Sequence, residues 1–107
     1  MDISLPKIPP GTLNKSAEVI KCLGHPLRLR LLEALEFGER TVSELQEFAG
    51  VSQAAVSQQL GILRGRGIVD SRRDGIHVRY WITEPKVSSI LACVRECSGE
   101  ESVYDER

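Results

Sequence analysis

The chain has no run approaching the roughly eighteen apolar residues of a membrane span, and its opening MDISLPKIPPG is not the basic-then-apolar start of a secretory signal. A cytoplasmic location with no membrane partner is therefore expected. Histidine occurs twice, and there is no Ser/His/Asp set, phosphate-binding glycine loop or paired acidic site. Those absences leave little for acid–base or nucleophilic work and argue against an enzyme. Cysteine occurs three times, an odd number without an export signal, which argues against a disulfide framework. The thiols are then either small buried hydrophobes or functional groups. No internal repeat or low-complexity tract is present, and 107 residues suffice for one core but not two.

The formal net charge of −1 speaks at first against nucleic acid. Its distribution speaks for it. Residues 51–83 carry Arg64, Arg66, Arg72, Arg73 and Arg79 against Asp70 and Asp74, a local +3, whereas residues 84–107 carry −3. Local asymmetry steers toward phosphate more than a whole-chain sum does, although a solvated surface also accommodates five arginines.

Along the chain, Pro6, Pro9, Pro10 and Gly11 predict an extended arm over residues 1–11. A helical stripe over 13–23 ends at Gly24, and Pro26 opens a second helix with Leu27, Leu31, Leu32 and Leu35, stopped by Gly38. Thr41-Val42 suits a very short strand, and Ser43 with Gln46 matches a capping box opening a short helix to Ala49. Ser52 caps a helix from Gln53 to about Arg64, with Val56, Leu60 and Leu63 inward. Residues 68–72 read as a strand, Asp74-Gly75 as a hairpin turn and 76–82 as a second strand. Its alternation puts Ile76, Val78, Tyr80 and Ile82 on one face and His77, Arg79 and Trp81 on the other. Thr83 then caps a last helix, with Pro85 in its first turn and a stripe of Val87, Ile90, Leu91 and Val94. The expected fold is mainly α with a β-hairpin: a winged helix-turn-helix domain over 12–97, between the arm and an acidic, frayed tail over 98–107.

Gly50-Val51-Ser52 is the tight turn of that motif. The second helix then exposes Gln53, Ala54, Ala55, Ser57, Gln58 and Gln59. Small residues admit a duplex closely, Gln and Ser hydrogen-bond to base edges or phosphates, and the helix N-terminus favours phosphate. The hairpin adds Arg72 and Arg73 before its tip and His77 and Arg79 after it, a basic ribbon suited to backbone or minor groove. A helix packed on another protein, with a surface hairpin beside it, satisfies the same patterns. A winged protein-interaction module is therefore the alternative from another class.

Leu23-Gly24-His25-Pro26-Leu27-Arg28-Leu29 resembles the LxHPxRL segment of the ArsR/SmtB repressors, and residues 51–60 with Leu63-Arg64 resemble their recognition helix. The likeness covers about Ala17 to Val94. It implies a homodimer formed through the first and last helices, with two recognition helices reading an inverted-repeat operator in double-stranded DNA. It carries DNA contact to Ser52, Gln53, Ala55, Ser57, Gln58 and Gln59, with Arg64 and the wing residues Arg72, Arg73, His77 and Arg79 as further candidates. No cofactor is expected for DNA binding itself.

The scaffold does not name the inducer. A cysteine box in the helix that opens the helix-turn-helix is missing from Ser43 to Phe48, and the last helix lacks the Asp and His of a zinc site. Glu33 stands where related persulfide sensors carry a cysteine. Cys22, Cys93 and Cys97 remain. Cys93 and Cys97 share a helix face with Cβ atoms about 5–6 Å apart. A disulfide wants about 3.8 Å, whereas a soft ion bonded to sulfur at about 2.3 Å bridges thiolates about 4 Å apart. With Cys22, from the same or the other subunit, three thiolates suit As(III) or Sb(III); a fourth ligand such as His25 is needed for tetrahedral Zn(II) or Cd(II). A thiol redox or reactive-sulfur switch and inert packing both stand beside the metalloid reading.

Overall fold

The computed structural model describes residues 4–104, with side chains over 4–97. The elements run α1 (Pro10–Leu23), α2 (Pro26–Leu35), β1 (Arg40–Thr41), α3 (Val42–Ala49), α4 (Gln53–Gly65), β2 (Val69–Asp74), β3 (His77–Ile82) and α5 (Val87–Tyr104). The sheet order is β1-β3-β2, antiparallel throughout, with Arg40 opposite Tyr80 and Val69 opposite Ile82. The fold is a winged helix-turn-helix: α3 and α4 form the motif and β2–β3 the wing.

Leucine spacing explains the core. Leu31, Leu32 and Leu35 of α2 meet Leu45 of α3 and Val56, Leu60 and Leu63 of α4. Ile68 and Val69, Cys22 and Leu23 of α1, and Val87 and Leu91 of α5 complete the same core. Burying one such leucine fully stabilises the fold by about 1.5–3 kcal/mol. The core therefore holds α4 by its inner face and leaves its outer face free.

Five local expectations are corrected. The arm is shorter than 1–11, because α1 begins at Pro10 with Pro9 as its N-cap, and the Leu13 amide donates to the Pro9 carbonyl at 3.0 Å. Proline suits this first turn, where its missing N–H has no helical partner to lose. The capping box belongs to Thr41 and Glu44 rather than Ser43 and Gln46. The Thr41 hydroxyl accepts from the Glu44 amide at 3.2 Å, and Glu44 Oε1 accepts from the Thr41 amide at 2.8 Å. Thr41 ends β1 in an extended conformation, which is the backbone an N-cap requires, and Ser43 already lies inside the helix.

Ile76 is not a strand residue. It sits in the two-residue turn, 88% exposed, after Gly75 at φ +66°, the positive angle that a tight hairpin of this kind asks of its first central residue. Thr83 does not cap the last helix, since α5 starts at Val87 and the Thr83 hydroxyl donates to the Gly67 carbonyl at 3.0 Å. Finally, α5 continues through 98–104, where a frayed tail was expected; residues 105–107 lie outside the described ones.

Candidate nucleic-acid interface

The turn between α3 and α4 is built by Gly50, whose φ of +70° ends α3 in the left-handed region. Ser52 then caps α4, its hydroxyl oxygen accepting from the Ala55 amide at 3.1 Å. Val56, Leu60 and Leu63 face inward, so Gln53, Ala54, Ser57, Gln58, Gly61 and Arg64 form the exposed face. This face is polar, small and uncharged until Arg64. Gly61 lies near its centre, and a Cβ there meets nothing within 4 Å. No intramolecular contact calls for a glycine there, and the position is open to close approach from outside. Sequence reasoning passed over it.

Two residues expected on the exposed face are only half-exposed. Ala55 and Gln59 are half-buried on the edge of α4 that leans toward α1 and α2. The Gln59 Oε1 accepts from Arg28 Nε at 2.7 Å and so is engaged inside the protein.

The register divides the wing. Arg72 stands opposite Arg79 and Asp74 opposite His77, so these four share one face with Trp81; Arg73, opposite Val78, lies on the other. Two arginines side by side repel, and carboxylates offset this. Arg72 donates to Glu39 at 2.9 Å and lies 5.5 Å from the Trp81 ring centre; Arg79 donates to Asp74 at 2.8 Å. Those hydrogen bonds hold the Glu39 and Asp74 carboxyls below their ordinary range and raise Arg72. Arg64 pairs with Asp70 at 3.4 Å. Among the described residues Arg73 has no such partner, while His77, opposite Asp74, adds to the positive charge acting on that carboxylate. All these pairs are on the surface, where a phosphate readily replaces a carboxylate.

The thiols divide as well. Cys22 is buried at 6% exposure, whereas Cys93 and Cys97 are exposed on α5. Among the described residues no group of three or more Cys, His, Asp or Glu side chains is gathered where it could hold a metal ion. His25, weighed as a fourth ligand, caps α2 through Nδ1, which accepts from the Leu27 amide at 3.2 Å.

Residues 25–71 match the family model described as "Bacterial regulatory protein, arsR family". The crystal structure of the transcriptional repressor BigR from Xylella fastidiosa superposes with a TM-score of 0.74 at 39% identity, over 78% of this chain and 86% of that one. The chain belongs to the ArsR family. It is a DNA-binding transcriptional repressor of that family, which consists of regulators rather than enzymes. A further likeness is to the solution structure of a homodimeric winged helix-turn-helix DNA-binding domain, Mb0332 from Mycobacterium bovis, described as a possible ArsR-family transcriptional regulator. Its TM-score is 0.71 at 27% identity, covering 96% of this chain and 95% of that one. A "probable mercury resistance operon repressor" of Streptomyces lividans is 40% identical over 80 residues, covering 75% of this chain and 64% of the relative. No helix among the described residues is long and apolar enough to cross a membrane.

Proposed function

We propose that this ArsR-family repressor works as a homodimer on an inverted-repeat operator and releases it when its thiols bind a soft metalloid such as As(III) or Sb(III). The dimer is supported by apolar side chains that the single chain leaves uncovered on two helices: Leu13 at 52% and Ile20 at 63% on α1, and Val94 at 43% on α5. A second copy laid against α1 and α5 removes that surface from water. The homodimeric Mb0332 domain is an example of such an assembly. Operator contact falls to Ser52, Gln53, Ser57, Gln58 and Arg64, with Arg72, Arg73, His77 and Arg79 on phosphates; no cofactor is needed for it.

The sensing reading is carried by one observation: Cys93 and Cys97 are both exposed, one helical turn apart on α5. Such a pair offers two thiolates to a soft ion. A third must come from Cys22, which is packed in the core. Recruiting it draws the end of α1 away from its neighbours, and that movement is the conformational change that release requires. The mercury-operon relative is consistent with thiol-seeking chemistry on this scaffold. The same exposure makes the pair accessible to oxidants and sulfur donors, which supports thiol redox sensing as a second reading.

The test is fluorescence anisotropy with a duplex from the protein's own promoter region, fully reduced, with As(III), Cd(II), peroxide or polysulfide added separately. The expected result is at least tenfold weaker binding with As(III), reversed by a chelating dithiol and absent in Cys93→Ser, Cys97→Ser and Cys22→Ser. Release only by peroxide or polysulfide, restored by simple reductant, moves the function to redox sensing. Unchanged affinity under every addition refutes both readings.

A further inference from the structure

The half-buried edge of α4 is formed by Ala55, Gln59 and Ile62, spaced i, i+4 and i+7. Against it lies the Arg28 guanidinium. It donates through Nε to Gln59 Oε1 at 2.7 Å and through Nη1 to the Cys22 carbonyl at 2.8 Å. One side chain from the first turn of α2 thus joins the last turn of α1 to the recognition helix. Cys22 is among the final residues of α1, whose carbonyls have no helical partner, so a cation is favoured there on its own account. Arginine can only donate, so the Gln59 atom facing it is the carbonyl oxygen.

Directionality gives this contact its importance. Val56, Leu60 and Leu63 fix which face of α4 is buried, but apolar burial is itself non-directional and resists small changes of pitch less sharply than a hydrogen bond does. A planar guanidinium holding two acceptors in fixed positions sets an angle. Among the described residues no other side-chain hydrogen bond joins α4 to α1 or α2.

We infer that Arg28 is a positioning residue for operator binding: with Gln59 and the Cys22 carbonyl it is the strut that sets the pitch of the recognition helix, and Gln59 serves that strut rather than the DNA. Movement of the Cys22 segment reaches α4 through the same guanidinium. The inference concerns the reduced, inducer-free protein and stands independently of the thiol reading.

Gln59→Glu and Gln59→Met separate the two roles. A carboxylate still accepts from Arg28, but next to phosphate or base edges it repels DNA; methionine fills the space and accepts nothing useful. Operator affinity is measured by anisotropy over a salt series on reduced protein, with thermal melts to establish folding. Gln59→Met binds at least fivefold more weakly than wild type, Gln59→Glu binds more tightly than Gln59→Met, and neither changes the slope of log affinity against log salt. Arg28→Met costs about as much as Gln59→Met, and the double variant loses no more than either single one. Full affinity in Gln59→Met, or Gln59→Glu binding as weakly as Gln59→Met or more weakly, overturns the strut. So does a slope lowered by about one in Arg28→Met, which is the mark of a lost phosphate contact. If Arg28→Met fails to fold, the ordering of the two Gln59 variants decides alone.

Discussion

Gly61→Ala pits the stability of the protein against its function. Gly61 lies within α4, where alanine is favoured over glycine by about 0.8–1.0 kcal/mol through helix propensity. The added methyl meets nothing within 4 Å, so no clash subtracts from the gain. For a domain of this size about 1 kcal/mol raises the melting temperature by roughly 4–8 °C. In the bound state the same methyl points into the space that a duplex occupies when the exposed face of α4 enters the groove. Overpacking of a tight contact costs about 1–3 kcal/mol, which is roughly 5- to 150-fold in affinity. Gly61→Ala is therefore expected to melt higher and bind operator duplex more weakly, and Gly61→Met to bind more weakly still. Calorimetry and anisotropy on the same preparations measure the two effects. Unchanged operator affinity in both variants refutes the placement of this face against DNA, whatever the melts show.

Two further outcomes follow from local geometry. Thr41→Val removes the α3 cap and is expected to destabilise the fold by about 0.5–2 kcal/mol in denaturant melts, whereas Ser43→Ala changes stability by less than about 0.5 kcal/mol; the reverse order restores the capping box to Ser43. Glu39→Gln with Asp74→Asn releases Arg72 and Arg79 for phosphate and steepens the salt dependence of DNA binding by up to about 0.9 per arginine. Both carboxyls sit below their ordinary range, so their contribution to wing stability is present above about pH 4 and is lost as the pH falls through the lowered values. A wing-located probe is expected to report acid loosening in the wild type and none in the double variant.

What could be read from the sequence was what depends on period and on neighbours close in the chain. Leu31, Leu32 and Leu35, then Val56, Leu60 and Leu63, announce two inward helix faces by spacing alone, and all six are buried. Ser52 announces its cap because the acceptor and the Ala55 amide are three residues apart. The errors arose where two local signals competed. Thr41 and Ser43 both begin a Ser/Thr-x-x-Glu/Gln pattern, and the winner is decided by β1, whose pairing with β3 fixes Thr41 in an extended conformation. Ile76 fitted the alternation of β3, yet the turn took it. The half-burial of Gln59 was not legible for a different reason: its partner is 31 residues away, and nothing in the spacing of α4 distinguishes an edge position from an exposed one. The thiols were likewise legible as types but not as places, since helical spacing pairs Cys93 with Cys97 and is silent on Cys22.

The location of Cys22 bears on how much force an inducer needs. Tenfold release requires about 1.4 kcal/mol of differential stabilisation between the DNA-competent and released arrangements. Apolar packing alone transmits such a bias poorly if α1 simply slides over the core while burial is conserved. The Arg28 bridge changes that balance, because hydrogen bonds to a charged group are worth about 1.5–3 kcal/mol each and fail over a short displacement. Drawing the Cys22 carbonyl away leaves the guanidinium to follow it or to stay with Gln59, and either choice alters the contact that sets the angle of α4. One such bond is already of the size that tenfold release demands. α5 reaches the far end of α2 by a second route, through Arg95, which lies 2.6 Å from Glu36. Glu36 precedes β1 by only a few residues, and β1 pairs with β3 of the wing. In the proposed sensing mechanism, a ligand that holds α1 and α5 together acts on both of these contacts at once.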